Sequence, residues 1–212
     1  MRGRGKTNYL KNRLLDVSPL FIVDIRNEYS HIPSFRNFAE FLLFAMNYLQ
    51  SPSLEKKMQY RFAFSSMQEY VKLFYLLSGV SNCTLVIDEA DAIFSERKFS
   101  QPLQNIFLGS RNNNVSMIFV GKRPFLLPIL IRSQADEYII FGIEEERDIN
   151  YLENRIRKDF PIPPEKLQMG HFIIAKQGEK PTLHRVSKFS PNLQSSVSKV
   201  EVPAREREKV IG

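Results

Sequence analysis

Two short segments of this chain carry residue types in an order that could do phosphate chemistry. The first is Gly3-Arg4-Gly5-Lys6-Thr7-Asn8, which leads straight into a helix-like stretch. Glycines there let backbone N–H groups turn inward around phosphate oxygens. The lysine neutralises β- and γ-phosphate charge, and the Ser/Thr hydroxyl holds Mg²⁺. Gly3, Arg4, Gly5, Lys6, Thr7 and Asn8 are therefore the candidate nucleotide contacts, with Thr7 on the metal. The complete pattern G-x-x-x-x-G-K-[ST] needs a glycine five positions before Gly5, one residue ahead of Met1. The strand that should feed the loop is expected to be missing too. G-x-G-K-T alone is also compatible with a chance basic terminus. The rest of the chain decides for a phosphate loop without its first strand. That loss is expected to leave a gap beside the acidic strand described next, with Lys6 and Thr7 tethered from one side only.

The second segment is Leu85-Val86-Ile87-Asp88-Glu89, about 80 residues after the lysine. An apolar strand ending in two carboxylates has the form of a Walker B motif. Its aspartate, Asp88, holds Mg²⁺ through water, and the following Glu89 polarises the attacking water. The plainer alternative is a solvated Asp-Glu pair at a strand end. The distance from the G-K-T favours the chemical reading. Asp88-Glu89-Ala90-Asp91 also spells the DEAD-box RNA helicase signature. Those enzymes need a second RecA-like domain, for which 212 residues leave no room. The Ser-Ala-Thr motif expected on their next strand is missing as well. Asp91 therefore reads as a helix-start residue.

The elements that must position these groups alternate between apolar runs and amphipathic stretches, the pattern of a parallel sheet flanked by helices. Strands are expected over 20–24, 59–64, 84–88, 115–120 and 137–141, with 137–141 the last of that series. Helices are expected over 7–16, 35–49, 67–77, 103–111 and 144–158. Pro161, Pro163 and Pro164 stop the last helix. A closing β-hairpin is expected over 171–175 and 182–186, joined through Gln177-Gly178-Glu179-Lys180-Pro181. The aromatic stretch Phe35, Phe38, Phe41, Phe44 and Tyr48 has helical spacing and reads as core, the alternative being a subunit or partner surface. Residues 1–189 form one nucleotide-binding domain in this reading, and polar, mixed-charge residues 190–212 a disordered tail.

Composition narrows the partners. A net charge of +7 points to an acidic partner, nucleic acid being the commonest, although a merely basic surface fits too. Cys83 stands alone, so no internal disulfide or cysteine-based metal site can form, which fits a reducing cytoplasm. No apolar run reaches the roughly 18 residues of a membrane span, and the first residues lack the apolar region of a signal peptide.

Taken together, these motifs resemble the HerA/FtsK superfamily of DNA-pumping ATPases, which includes viral genome-packaging ATPases. The likeness rests on the G-K-T, on Phe21-Ile22-Val23-Asp24-Ile25-Arg26-Asn27-Glu28-Tyr29, and on the Asp88-Glu89 strand. It also rests on Gly109-Ser110-Arg111-Asn112-Asn113-Asn114-Val115 leading to Val120-Gly121-Lys122-Arg123-Pro124, and on Ile131 to Asp136. The resemblance implies a RecA-like P-loop fold with helices on both sheet faces, ATP and Mg²⁺ as cofactors, and sequence-independent binding of double-stranded DNA. It further implies a homo-oligomeric ring, often a hexamer, located in the cytoplasm or with a virion. In such a ring an arginine reaches the neighbour's γ-phosphate. Arg111 is the first candidate, Arg132 the second and Arg123 the third. The alternative for Arg111 is a cation favoured at a helix C-terminus. Lys122 stands where the family usually has an amide before Arg-Pro, and a lysine could bind the γ-phosphate directly. Two other readings stay open: a phage-assembly ATPase of the zonula-occludens-toxin type, and a nucleotide-binding subunit without hydrolysis of its own.

Overall fold

A computed structural model of the chain describes residues 5–50, 58–94, 100–156, 160–186 and 198–199. Gly3, Arg4, the side chain of Tyr48 and the 190–212 segment apart from Ser198 and Lys199 lie outside the described residues. In chain order the elements are α1 (Lys6–Arg13), β1 (Leu20–Val23), β2 (Ser34–Phe35), α2 (Phe38–Gln50), β3 (Gln59–Phe62), α3 (Met67–Leu77), β4 (Cys83–Ile87) and α4 (Ala90–Ile93). They continue with α5 (Gln101–Gly109), β5 (Val115–Phe119), α6 (Ile129–Gln134), β6 (Glu137–Phe141), α7 (Glu146–Ile156), β7 (His171–Lys176), β8 (Thr182–Arg185) and β9 (Ser198–Lys199). The chain divides into two compact units. One comprises Asp16–Lys122 with Leu126–Pro128, and the other Met1–Leu15, Arg123–Phe125 and Ile129–Gly212.

The first unit is built on a five-stranded sheet in the order β2-β3-β1-β4-β5. Every pairing in it is parallel. Parallel strands need long crossovers, and the chain supplies helices for them. Every residue of β1 is buried, and all of β4 except Thr84. That explains why both read as continuous apolar runs rather than alternating ones. α3 starts at Ser66, whose hydroxyl accepts from Glu69 N at 3.3 Å, the usual N-cap arrangement. The Glu69 carboxylate in turn accepts from Phe38 N at 3.0 Å and so caps the start of α2. The aromatic stretch is only partly core. Phe41 is buried and Phe35 and Phe44 half-buried, with Phe35 packing on Phe41, Phe44 and Phe62. Leu42, Leu43 and Met46 on the same helix are exposed.

Two expectations are corrected here. β4 has a strand on each side, β1 and β5, so the gap expected beside the acidic strand is not there. Continuous parallel ladders close both of its edges. The 137–141 strand does form, but it does not continue the parallel series. β6 pairs antiparallel with β7, Glu137 opposite Lys176 and Phe141 opposite Phe172.

β6 thus opens the sheet of the second unit, whose order is β6-β7-β8-β9. Gly178 in the β7–β8 connection has φ 81°, a conformation that favours glycine. Ile140, Ile143, Leu152, Leu167, Ile173 and Leu183 form its buried core, so α7 contributes Leu152 to the interior. α1 belongs to this unit. Its Tyr9 ring lies 4.7 Å from Phe172 and 6.0 Å from Phe141, centroid to centroid.

Candidate phosphate loop and carboxylate site

The helix that follows the glycine-rich segment begins at Gly5, whose φ of 101° lies in the left-handed region. A side chain there would be strained whatever the space around it. Gly5 at the N-cap has no side chain with which to cap α1, and the first turn carries no acidic residue. Backbone N–H groups at such a start, with the positive end of the helix dipole, suit an anion. Lys6 and Thr7 are half-buried in this first turn, and Asn8 is exposed. Tyr9 N donates to Gly5 O at 2.9 Å. Arg13 fixes the far end, donating to the Tyr9 hydroxyl at 2.8 Å and to Glu137 at 2.6 Å. Rings and an ion pair therefore hold the helix on β6 and β7, rather than the loop alone. Part of the basic N-terminal charge is engaged internally through Arg13.

In the other unit, β4 delivers Asp88 and Glu89 at its C-terminal end, where functional residues of parallel sheets gather. The ladder continues past the strand on both sides. Asp88 N donates to Val23 O at 3.0 Å, Val120 N to Ile87 O at 2.9 Å, and Ala90 N to Val120 O at 2.7 Å. Glu89 itself is left-handed, with φ 51° and ψ 44°. For a non-glycine residue this costs about 1 kcal/mol or more and is found chiefly where the surroundings enforce it. Asp91 sits in the first turn of α4, as its reading as a helix-start residue requires.

Asp88 is only 8% exposed. Burial pushes its carboxyl up to about 6, against the lowering effects of the Glu89 N–H and the Tyr29 hydroxyl. A buried carboxylate held at such a cost suits a divalent cation, which would offset the charge that burial penalises. Tyr29 is fully buried, and burial followed by the nearby Asp88 charge raises its phenol well above the ordinary value. The two oxygens of Glu89 are each paired with a cation. Arg26 Nε lies 3.1 Å from Oε1, and Lys122 Nζ 3.0 Å from Oε2. Lys122 is one of the residues that the resemblance singles out. Arg26 is not, although its segment is.

The loop that brings Arg26 and Tyr29 here is organised by Asp24, which is completely buried. Its carboxylate accepts from Glu28 N at 2.9 Å and from Tyr29 N at 3.0 Å, and pairs with Arg61 at 3.3 Å. The Asp-x-x-x-Glu-Tyr spacing is thus a side-chain-capped turn that carries a tyrosine to the buried Asp88.

The three arginines considered for a neighbour's phosphate sit differently. Arg111 is exposed in the turn between α5 and β5, before the strand begins. Glu89 follows the opposite, C-terminal end of the adjacent parallel strand, about 15 Å away at roughly 3.3 Å per residue. One chain does not bring the two together. Arg132 is 7% exposed, its guanidinium 4.6 Å from the Tyr151 ring centroid and 4.9 Å from that of Phe125. Arg123 is paired with Asp148 at 3.0 Å and with Glu145 at 3.5 Å.

A parallel sheet with acids at the end of an interior strand, and a glycine-started G-K-T helix in the same chain, defines the α/β P-loop nucleoside-triphosphatase fold. Among the solved structures that share this fold are viral proteins. The genome packaging NTPase B204 from Sulfolobus turreted icosahedral virus 2 in complex with ATP-gammaS superposes with a TM-score of 0.66 at 18% identity, covering 87% of this chain and 92% of that one. Its AMPPCP complex gives 0.65 at 18% identity, with 88% and 94% covered. B204, the DNA-packaging ATPase from Sulfolobus turreted icosahedral virus, gives 0.51 at 17% identity, with 79% and 96% covered. No family model and no curated protein sequence matches the chain. Among the described residues no helix is long and apolar enough to cross a membrane.

Proposed function

We propose that the chain is an ATP-hydrolysing motor of the HerA/FtsK type that moves double-stranded DNA, with genome packaging as its setting. The observation that carries this reading is Glu89, a strained, doubly paired carboxylate next to a buried aspartate at the end of an interior parallel strand. In this reading Lys6 neutralises nucleotide phosphate, Thr7 and Asp88 serve Mg²⁺, and Glu89 orients the attacking water. When bound, Mg²⁺ would offset phosphate charge as it develops. The exposed position of Arg111 supports action on a neighbouring subunit, hence a ring. Arg132 and Arg123, held by their own unit, serve that unit's packing. The packaging NTPases that share the fold favour DNA as the polymer moved, and the net charge of +7 fits a polyanion.

Glu89→Gln tests the reading. It should keep nucleotide binding and lower turnover by about 10²–10⁴-fold, as removal of a positioned base does. Unchanged turnover would refute the assignment. A wild-type chain that binds ATP without hydrolysing it would instead favour a nucleotide-binding subunit.

A further inference from the structure

Arg61 is a buried cation with no obvious duty in the chemistry above. It lies on β3 and is 8% exposed. Long charged side chains are seldom buried unless paired, and pairing them there often stabilises no better than an apolar residue of similar volume. Among the described residues, the side-chain hydrogen bonds of Arg61 fall on the segment that follows β1. Nε donates to Ile32 O at 2.9 Å, and one terminal nitrogen donates to both Asp24 Oδ2, at 3.3 Å, and Asn27 Oδ1. Asn27 has φ 58° and sits directly after Arg26. The guanidinium therefore ties the start, the left-handed turn and the far end of this loop to β3. Only a planar, multi-donor group does this, since a lysine is a single point of attachment.

The geometry points to Arg61 as a positioning residue for hydrolysis, acting through the Asp24–Tyr29 loop and Arg26 on Glu89. This rests on the reading of Glu89 as the water-orienting carboxylate. Glu89 is approached by two loops, one bringing Arg26 and the other Lys122. Together they fix the plane of the carboxylate. Each carboxylate oxygen has two lone-pair sites, so one cation per oxygen leaves room for a water. Loosening Arg26 frees the side chain to rotate about one remaining contact. A misplacement of about 1 Å at a reacting group can cost about 10²-fold in rate.

The test is steady-state ATPase of the full chain at saturating Mg²⁺ for Arg61→Met, Arg61→Lys, Arg26→Gln and the Arg61→Met/Arg26→Gln double variant. Circular dichroism confirms folding, and Arg61→Lys serves if Arg61→Met does not fold. The expected result is a kcat lowered about 10–100-fold in each single variant, with KM for ATP within about threefold. The double variant should be no worse than the poorer single one, because the two residues act in series. Multiplying losses, a kcat raised by Arg26→Gln, or wild-type kcat in a folded Arg61 variant overturns the inference. Turnover lost in Glu89→Gln but intact in folded Arg61→Lys overturns this inference alone. Turnover that survives Glu89→Gln overturns the reading of Glu89 and this inference with it.

Discussion

Replacing Asp88 with asparagine should stabilise the fold while removing the carboxylate proposed to serve Mg²⁺. The carboxyl sits at about 6 in the native protein, against an ordinary value of 3.8, chiefly because burial penalises the charged form. Raised in this direction, the native state holds the proton more tightly than the unfolded chain. Between about 3.8 and 6 the native protein binds more protons, so this group's contribution to stability falls as pH rises. Above 6 the carboxylate is charged in both states and the native state carries the whole penalty. A difference of about 2 pH units at 1.36 kcal/mol each is about 3 kcal/mol. Asparagine keeps the shape and an oxygen for the Glu89 N–H, which donates to Oδ1 at 2.8 Å. It never ionises. Urea unfolding with EDTA present should therefore find Asp88→Asn more stable by about 3 kcal/mol at pH 7.5 and by about 1 kcal/mol at pH 4.5. Taking the difference between the two proteins cancels groups that titrate independently. A destabilised variant at pH 7.5, or a gap that does not change with pH, would refute the assignment of a burial penalty to Asp88. Stability gained by undoing a functional site is a common trade.

Two further outcomes bear on the ring and the polymer. Mixing Arg111→Ala subunits with Glu89→Gln subunits should restore part of the ATPase activity, because some interfaces then join an intact glutamate to an intact arginine. Mixtures that assemble but stay inactive would count against Arg111 in trans. Binding of duplex DNA, followed by fluorescence anisotropy, should weaken steeply with salt and vary little with sequence. Affinity that ignores salt would assign the +7 charge to solubility alone.

The parts legible in sequence are those that burial or capping writes locally. α3 reads over Met67–Leu77 because Ser66 caps it and its buried residues Tyr70, Leu73, Phe74 and Leu77 recur at helical spacing. β1 and β4 read as apolar runs because both of their faces are covered. β2 did not, since two residues, Ser34 and Phe35, are too few to show a period. α4 and α6, of four and six residues, escaped for the same reason. The partner of β6 is not written in its own residues. Alternation fixes which faces are buried, not which strand lies alongside. The same limit hid Arg26. Its meeting with Glu89 depends on β1 lying beside β4 in parallel register, Val23 opposite Ile87. Once that is known, residues three past one strand and two past the other become neighbours. A signal was present in the acids that follow both strands, Asp24 and Asp88, since parallel strands present their C-terminal ends together.

That register also decides what holds Glu89 in its strained conformation. The ion pairs to Arg26 and Lys122 involve side chains 38% and 42% exposed, and contacts so open to solvent contribute at most about 1 kcal/mol each. They do not secure a left-handed glutamate on their own. The backbone does. Asp88 N is fixed to Val23 O on one side and Ala90 N to Val120 O on the other, so the residue between them has little conformational choice. A buried backbone bond left unmade costs about 1–3 kcal/mol, more than the strain at Glu89. The main chain is therefore set by the sheet, and the cations are left to aim the side chain. This division of labour is why removal of Arg26 should lower turnover without unfolding the protein. It is also why a buried arginine one strand further away, on β3, is in a position to govern the chemistry without touching it.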